Sequence, residues 1–210
     1  MTFRVVILAS GAGTLADALI QASAQPTYPA TVVALGADRP AEALNVARRH
    51  GIATFTVRPA DFGSRDEWNR GLAAAVGAFN PDLVVSAGFM RILGANFLAR
   101  FQDRTINTHP ALLPAFPGAH AVREALAAGV EVTGCTVHRV DSGVDTGQIL
   151  DQAQVPIEPG DDEPTLHERI KTQERELLIK TVARLARAAP GDRDVTGGTG
   201  QPRGIVQGER

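Results

Sequence analysis

The sequence predicts an α/β fold: a doubly wound, mostly parallel, Rossmann-like sheet that ends in a C-terminal antiparallel hairpin. Three observations carry this. Short apolar runs with β-branched centres, at 5–9 and 83–87, read as strands buried on both faces, as the strands of parallel sheets are. Helical stretches alternate with such runs over the first hundred residues. The last two strand-like runs, 132–140 and 148–157, are joined by only 141–147, too short for a crossover helix, so they must pair antiparallel.

Taken in order, a strand over 2–9 stops at Ser10-Gly11-Ala12-Gly13 and gives way to a helix over 14–24. A strand at 31–35, a helix at 41–50, a strand at 53–57 and a helix at 65–79 follow. The alternation continues with a strand at 83–87, a short helix at 94–100 and a strand at 105–108. Pro114, Pro117 and Gly118 make 111–118 a stiff non-helical loop, and a helix over 120–128 comes next. The acidic triplet 161–163 and Pro164 open a last helix that runs to 188, because carboxylates suit a helix N-terminus and Pro suits its first turn. From Pro190 on, few large apolar residues remain, so 1–189 is expected to be one domain and 190–210 a largely disordered tail.

The 210 residues are 44% hydrophobic and 21% charged, enough for a full core in one domain. Lys and Arg number 21 against 23 Asp and Glu, a net charge of −2, which leaves no basic field for nucleic acid or an anionic membrane. Cys135 is the single cysteine and cannot form an internal disulfide, which suits a reducing compartment. The apolar start at 5–9 is too short for a secretory signal or a membrane span. A cytoplasmic protein is expected, acting on small-molecule substrates with no nucleic acid or membrane partner, as a monomer or homodimer. No His, Cys and carboxylate set has metal-ligand spacing, so no metal is expected. No Ser lies in a nucleophile elbow and Cys135 falls mid-strand, so covalent catalysis is not indicated.

Four places carry residue choices that look chemical. The first is the turn Gly11-Ala12-Gly13-Thr14-Leu15, where glycines admit an anion to the N–H groups of a helix start. A phosphate or nucleotide site competes there with a tight structural turn. The turn also fits G-x-G-x-x-A, with Asp38 as a ribose-binding acid, so a nicotinamide-dependent dehydrogenase is a rival reading. The second is Asn107-Thr-His109 at the carboxyl end of a buried strand. Alternation turns Asn107 and His109 the same way, so an amide and an imidazole could hold an oxyanion and manage a proton. The plain alternative is strand-end packing fixed by Pro110.

The third is the hairpin loop with Asp141 and Asp145. A carboxylate delivered beside His109 would orient the ring and favour its protonated form, whereas Asp in a Gly-rich loop is otherwise a solvated turn former. The fourth is Glu174, which falls within the apolar stripe of the last helix, a costly position without a partner such as a ligand hydroxyl pair or a buried Arg. His50 sits at a helix C-terminus, where the dipole mildly favours its protonated form, and His167 reads as a surface residue; His138 either points at the site or is a core histidine, the latter preferred.

At 107–114, in Asn-Thr-His-Pro-Ala-Leu-Leu-Pro, and at 138–147, in His-Arg-Val-Asp-Ser-Gly-Val-Asp-Thr-Gly, the sequence resembles the folate-dependent formyltransferase superfamily. The Ser-Gly-Ala-Gly-Thr turn and Ala-Gly-Phe-Met-Arg-Ile-Leu at 87–93 extend the resemblance over about 3–188. It implies transfer of a formyl group from 10-formyltetrahydrofolate to the amine of glycinamide ribonucleotide in purine biosynthesis. Superfamily relatives that act on initiator tRNA or deformylate formyltetrahydrofolate carry an extra domain for which this length has no room. Asn107, His109 and Asp145 match the catalytic trio. Gly11, Ala12, Gly13, Thr14 and Leu15 would hold the acceptor's phosphate, Glu174 its ribose hydroxyls, and Pro110 and Gly118 would line its groove. The folate would lie against Arg65, Met90, Arg91, Ile92, Leu93 and Asn107, with Val140, Asp141, Ser142, Gly143, Val144 and Asp145 closing over the pteridine. One position departs from the pattern: Leu15 stands where members usually carry Asn, so a side-chain amide contact is lost while backbone phosphate binding is kept. A deformylase, with water in place of the amine, and a non-catalytic binder are the further rivals.

Overall fold

A computed structural model describes residues 2–189, so the expected tail over 190–210 lies outside the described residues. The strands are β1 (Phe3–Leu8), β2 (Ala30–Ala37), β3 (Ala53–Thr56), β4 (Leu83–Ser86), β5 (Thr105–His109), β6 (Val132–Arg139) and β7 (Ile149–Pro156). The helices are α1 (Thr14–Ser23), α2 (Glu42–Arg49), α3 (Arg65–Gly77), α4 (Ala95–Arg100), α5 (Ala121–Ala127) and α6 (Glu163–Ala188), with one 3-10 turn at Pro59–Asp61. The sheet order is β3-β2-β1-β4-β5-β6-β7. Pairing is parallel from β3 through β5 and antiparallel at β5–β6 and β6–β7. This is the expected fold class, with the hairpin as its antiparallel end.

Alternation along β1 sorts the core into two layers. Val5 and Ile7 face a cluster with Leu19 of α1, Leu44 of α2 and Ile170 and Leu178 of α6. Val6 and Leu8 face a second cluster with Trp68 and Leu72 of α3 and Phe97 of α4. All four β1 side chains are fully buried, which is why the run reads as continuously apolar instead of alternating. Trp68 satisfies its buried indole N–H on the Val57 carbonyl at 2.9 Å.

Element ends differ from expectation where packing overrides local signals. β2 continues through Gly36 to Ala37, beyond the expected 31–35, because Gly36 is where the Phe55 ring of β3 lies against the strand: a Cβ there would sit 2.3 Å from it. The last helix starts where the acidic triplet suggested, with Asp162 as the cap that accepts from Thr165 N at 2.9 Å.

Chain order reverses between β1 and β4. After β1 the chain builds outward to β2 and β3, then crosses back to β4 on the other side. The carboxyl ends of β1, β4 and β5 therefore open into one crevice, the place where open α/β sheets bind ligands. Among the described residues, no helix is long and apolar enough to cross a membrane.

Candidate active site

The crevice is a cavity of about 600 Å³. Each wall follows from a strand end. The turn after β1 supplies Gly11, Ala12, Gly13, Thr14 and Leu15; the segment after β4 supplies Met90, Arg91, Ile92 and Leu93. β5 contributes Asn107, Thr108, His109 and Pro110, the β6–β7 loop Val140, Asp141, Gly143, Val144 and Asp145, and the stretch before α5 Gly118. Glu174 reaches in from α6. Arg65 and Ser142 are the two expected residues that do not line it. Arg65 is exposed and donates to the Ile92 carbonyl at 3.2 Å, steadying that wall, while Ser142 lies exposed in the hairpin loop.

The turn after β1 is shaped for a close backbone approach. Gly13 precedes α1 at φ 80°, and a Cβ there would lie 2.7 Å from the Ala43 Cα. Gly13→Ala should therefore destabilise the protein by about 2 kcal/mol, combining a left-handed backbone with a backbone clash, and a urea titration would read the shift. Gly13 has no side chain to cap α1, so no side chain takes the N–H groups of its first turn. Leu15 is 9% exposed and joins the core cluster as well as lining the cavity.

On β5, Asn107 and His109 do share a face. In the antiparallel register Asn107 lies opposite His138 and His109 opposite Thr136. Asn107 Nδ2 is 3.2 Å from His138 Nε2, and His138 Nδ1 donates to the Arg139 carbonyl at 2.8 Å. Asp145 arrives from the loop to meet both rings. Its Oδ2 is 3.3 Å from His109 Nδ1 and its Oδ1 3.4 Å from His138 Nε2. The Gly118 N–H donates to Oδ2 at 2.8 Å. His109 Nε2 faces the Phe116 carbonyl at 2.7 Å, so both ring nitrogens meet acceptors and only the doubly protonated ring can donate to both.

Asp145 sits at φ 54°, in the left-handed region that Asp tolerates better than most residues. Burial favours its neutral form, but the His138 ring beside it, the Gly118 hydrogen bond and the His109 ring win, holding the carboxyl below its ordinary range. Of the two readings of His138, the structure combines both: it is 2% exposed, yet it lines the cavity and faces Asn107. The register opposite Asn107 was the signal, and it exists only once β5 and β6 are paired.

Glu174 is 4% exposed on the opposite side of β5, toward Thr108. Burial pushes its carboxyl up to about 7, against the Thr108 hydrogen bond and the charges of Lys171 and Arg175. His167, expected at the surface, and Lys171 also line the cavity. Both lie on the Glu174 face by helical spacing, at seven and three residues before it. With a raised native value the folded state binds the Glu174 proton more tightly than the unfolded chain. Its contribution to stability is therefore full below about 4.5 and lost as pH rises through about 7. Glu174→Gln should match wild-type Tm near pH 5 and exceed it near pH 8, a crossover that thermal unfolding across pH would detect.

Asp38 cannot serve as a ribose-binding acid. Its side chain is fully buried, accepting from Ser10 Oγ at 2.7 Å and Arg91 Nε at 2.7 Å. Among the described residues, no group of three or more His, Cys, Asp or Glu side chains could hold a metal ion.

Known proteins similar to this chain identify its family. The formyl transferase family matches residues 3–182. The phosphoribosylglycinamide formyltransferase of Mycobacterium tuberculosis strain H37Rv is 60% identical over 183 residues, 87% of this chain and 85% of its own. The protein of the same name from Escherichia coli K12 is 40% identical over 175 residues, 83% of this chain and 82% of its own. The crystal structure of glycinamide ribonucleotide transformylase 1 from Symbiobacterium toebii superposes with a TM-score of 0.87 at 39% identity, covering 89% of each chain. With a family match across most of its length and relatives this similar, the chain belongs to the formyl transferase family, within the group of phosphoribosylglycinamide formyltransferases.

Proposed function

We propose that the protein transfers the formyl group of 10-formyltetrahydrofolate to the amine of N1-(5-phospho-D-ribosyl)glycinamide in purine biosynthesis. The observation that carries this reading is the convergence of Asn107, His109 and Asp145 on the wall of a cavity whose rim also holds the phosphate-type turn and Glu174. The acceptor's phosphate lies on the N–H groups of 11–15 and its ribose hydroxyls on Glu174, along a groove past Pro110 and Gly118. The donor lies against Met90, Arg91, Ile92 and Leu93, under the loop of Val140 to Asp145. Met90, Ile92 and Val144 are 63%, 53% and 50% exposed, apolar surface that suits a flat heteroaromatic ligand.

The neutral amine attacks the formyl carbon, and the carbonyl π pair moves to oxygen. Asn107 has two N–H donors; with one on His138, the other is free for the oxyanion. His109 supplies a second donor when the substrate oxygen displaces the Phe116 carbonyl from its Nε2–H. Asp145 takes the proton released by the attacking amine and passes it, directly or through a water, to the folate N10 as the C–N10 bond breaks. No acyl-enzyme forms. The partners needed are these two small molecules alone.

Mixing the protein with 10-formyltetrahydrofolate, with and without the ribonucleotide, and following the ultraviolet change of the folate tests the reading. Deformylation of the donor should require the ribonucleotide. Turnover without it would favour hydrolysis, with water in place of the amine, and no turnover by folded protein would leave a binder.

A further inference from the structure

A buried polar cluster lies behind the 90–93 wall without belonging to the chemistry. Ser10 Oγ donates to Asp38 Oδ1 at 2.7 Å and accepts from the Met90 N–H at 2.9 Å. Ser10 N donates to the Gly88 carbonyl at 3.1 Å. Asp38 Oδ2 takes Arg91 Nε at 2.7 Å and Arg39 at 3.1 Å. The Asp38 side chain has no exposed surface, whereas Arg91 and Arg39 are 44% and 48% exposed. Burial opposes the charge on Asp38, but the hydrogen bonds from Arg91, Ser10 and Arg39 overcome it, so the carboxyl stays below its ordinary range.

The consequence is directional. A buried anion pins the start of the 90–93 wall twice, once through the Arg91 side chain and once through the Met90 main chain by way of Ser10. Met90 and Ile92 are otherwise exposed and have few neighbours to fix them. The phosphate-type turn is anchored differently, through the Ala43 N–H on the Gly11 carbonyl at 3.1 Å and by packing of Gly13 on Ala43. We infer that Asp38 is a positioning residue for the donor half of the site: held by Ser10, Arg91 and Arg39, it sets the wall against which the folate ring lies and leaves the acceptor half to other contacts. This rests on the donor site proposed above.

The test compares wild type, Asp38→Asn, Arg91→Gln and the double variant. It uses titration with a non-reactive formylated dideazafolate, together with kcat and both KM values. Asparagine keeps the shape and the Ser10 contact but removes the charge that holds Arg91. Donor-analogue affinity should fall about tenfold, the loss of one charge-assisted hydrogen bond, with acceptor KM changed less than twofold. The double variant should bind no more weakly than the worse single variant, because Asp38 acts through Arg91. Equal loss toward donor and acceptor, unchanged donor affinity, or additive losses would each overturn the inference. Should Asp38→Asn not fold, Arg91→Gln, which leaves Asp38 on Ser10, carries the same expectation: weaker donor, acceptor KM changed less than twofold. Wild-type protein that binds no donor analogue would overturn the functional reading together with this one, whereas wild-type transfer with indifferent variants overturns this one alone.

Discussion

Asp145→Asn is expected to lower kcat by about 10² to 10⁴, the range for a general acid-base group, with little change in either KM. The carboxylate is the one group in the site that meets both histidine rings and a backbone N–H at once. Its carboxyl is held below the ordinary range, so it is ionised throughout the neutral range and ready to accept the amine proton. Asparagine can still accept from Gly118 but cannot take a proton, which separates chemistry from loop placement. Steady-state kinetics beside circular dichroism would check this. A folded variant keeping more than half of wild-type kcat would remove Asp145 from the proton path.

Asn107→Ala is expected to lower kcat by about 10² to 10³, the cost of removing one oxyanion donor. The alanine also frees the His138 Nε2 that Asn107 now faces. Asn107→Asp distinguishes the two effects, since a carboxylate can pair with His138 once Nε2 takes a proton, yet repels the developing charge. If the amide acts on the oxyanion, both variants lose kcat to a similar degree; if it only positions His138, Asn107→Asp retains activity.

The sequence made the architecture readable because the strands are short, apolar and evenly spaced, and the 141–147 link is too short for a crossover. Alternation placed Asn107 and His109 on one face, and the stripe of α6 exposed Glu174 as anomalous. What stayed hidden depends on pairing across distance. His138 looks like any core histidine until the β5–β6 register sets it opposite Asn107. Asp38 fits a ribose-binding acid in one dimension, and only burial under Arg91 shows where its charge goes. Arg65 matched the family pattern, yet its side chain supports the Ile92 carbonyl from outside the cavity. His167 and Lys171 were within reach of helical spacing from Glu174.

A labelled formyl group separates direct transfer from covalent and hydrolytic routes. Donor labelled at the formyl carbon is mixed with enzyme in a single turnover, with and without glycinamide ribonucleotide, then quenched in acid. Label should pass from folate to the ribonucleotide amine only when the acceptor is present, with none on the denatured protein. Label bound to protein, or released as formate without acceptor, would contradict direct transfer.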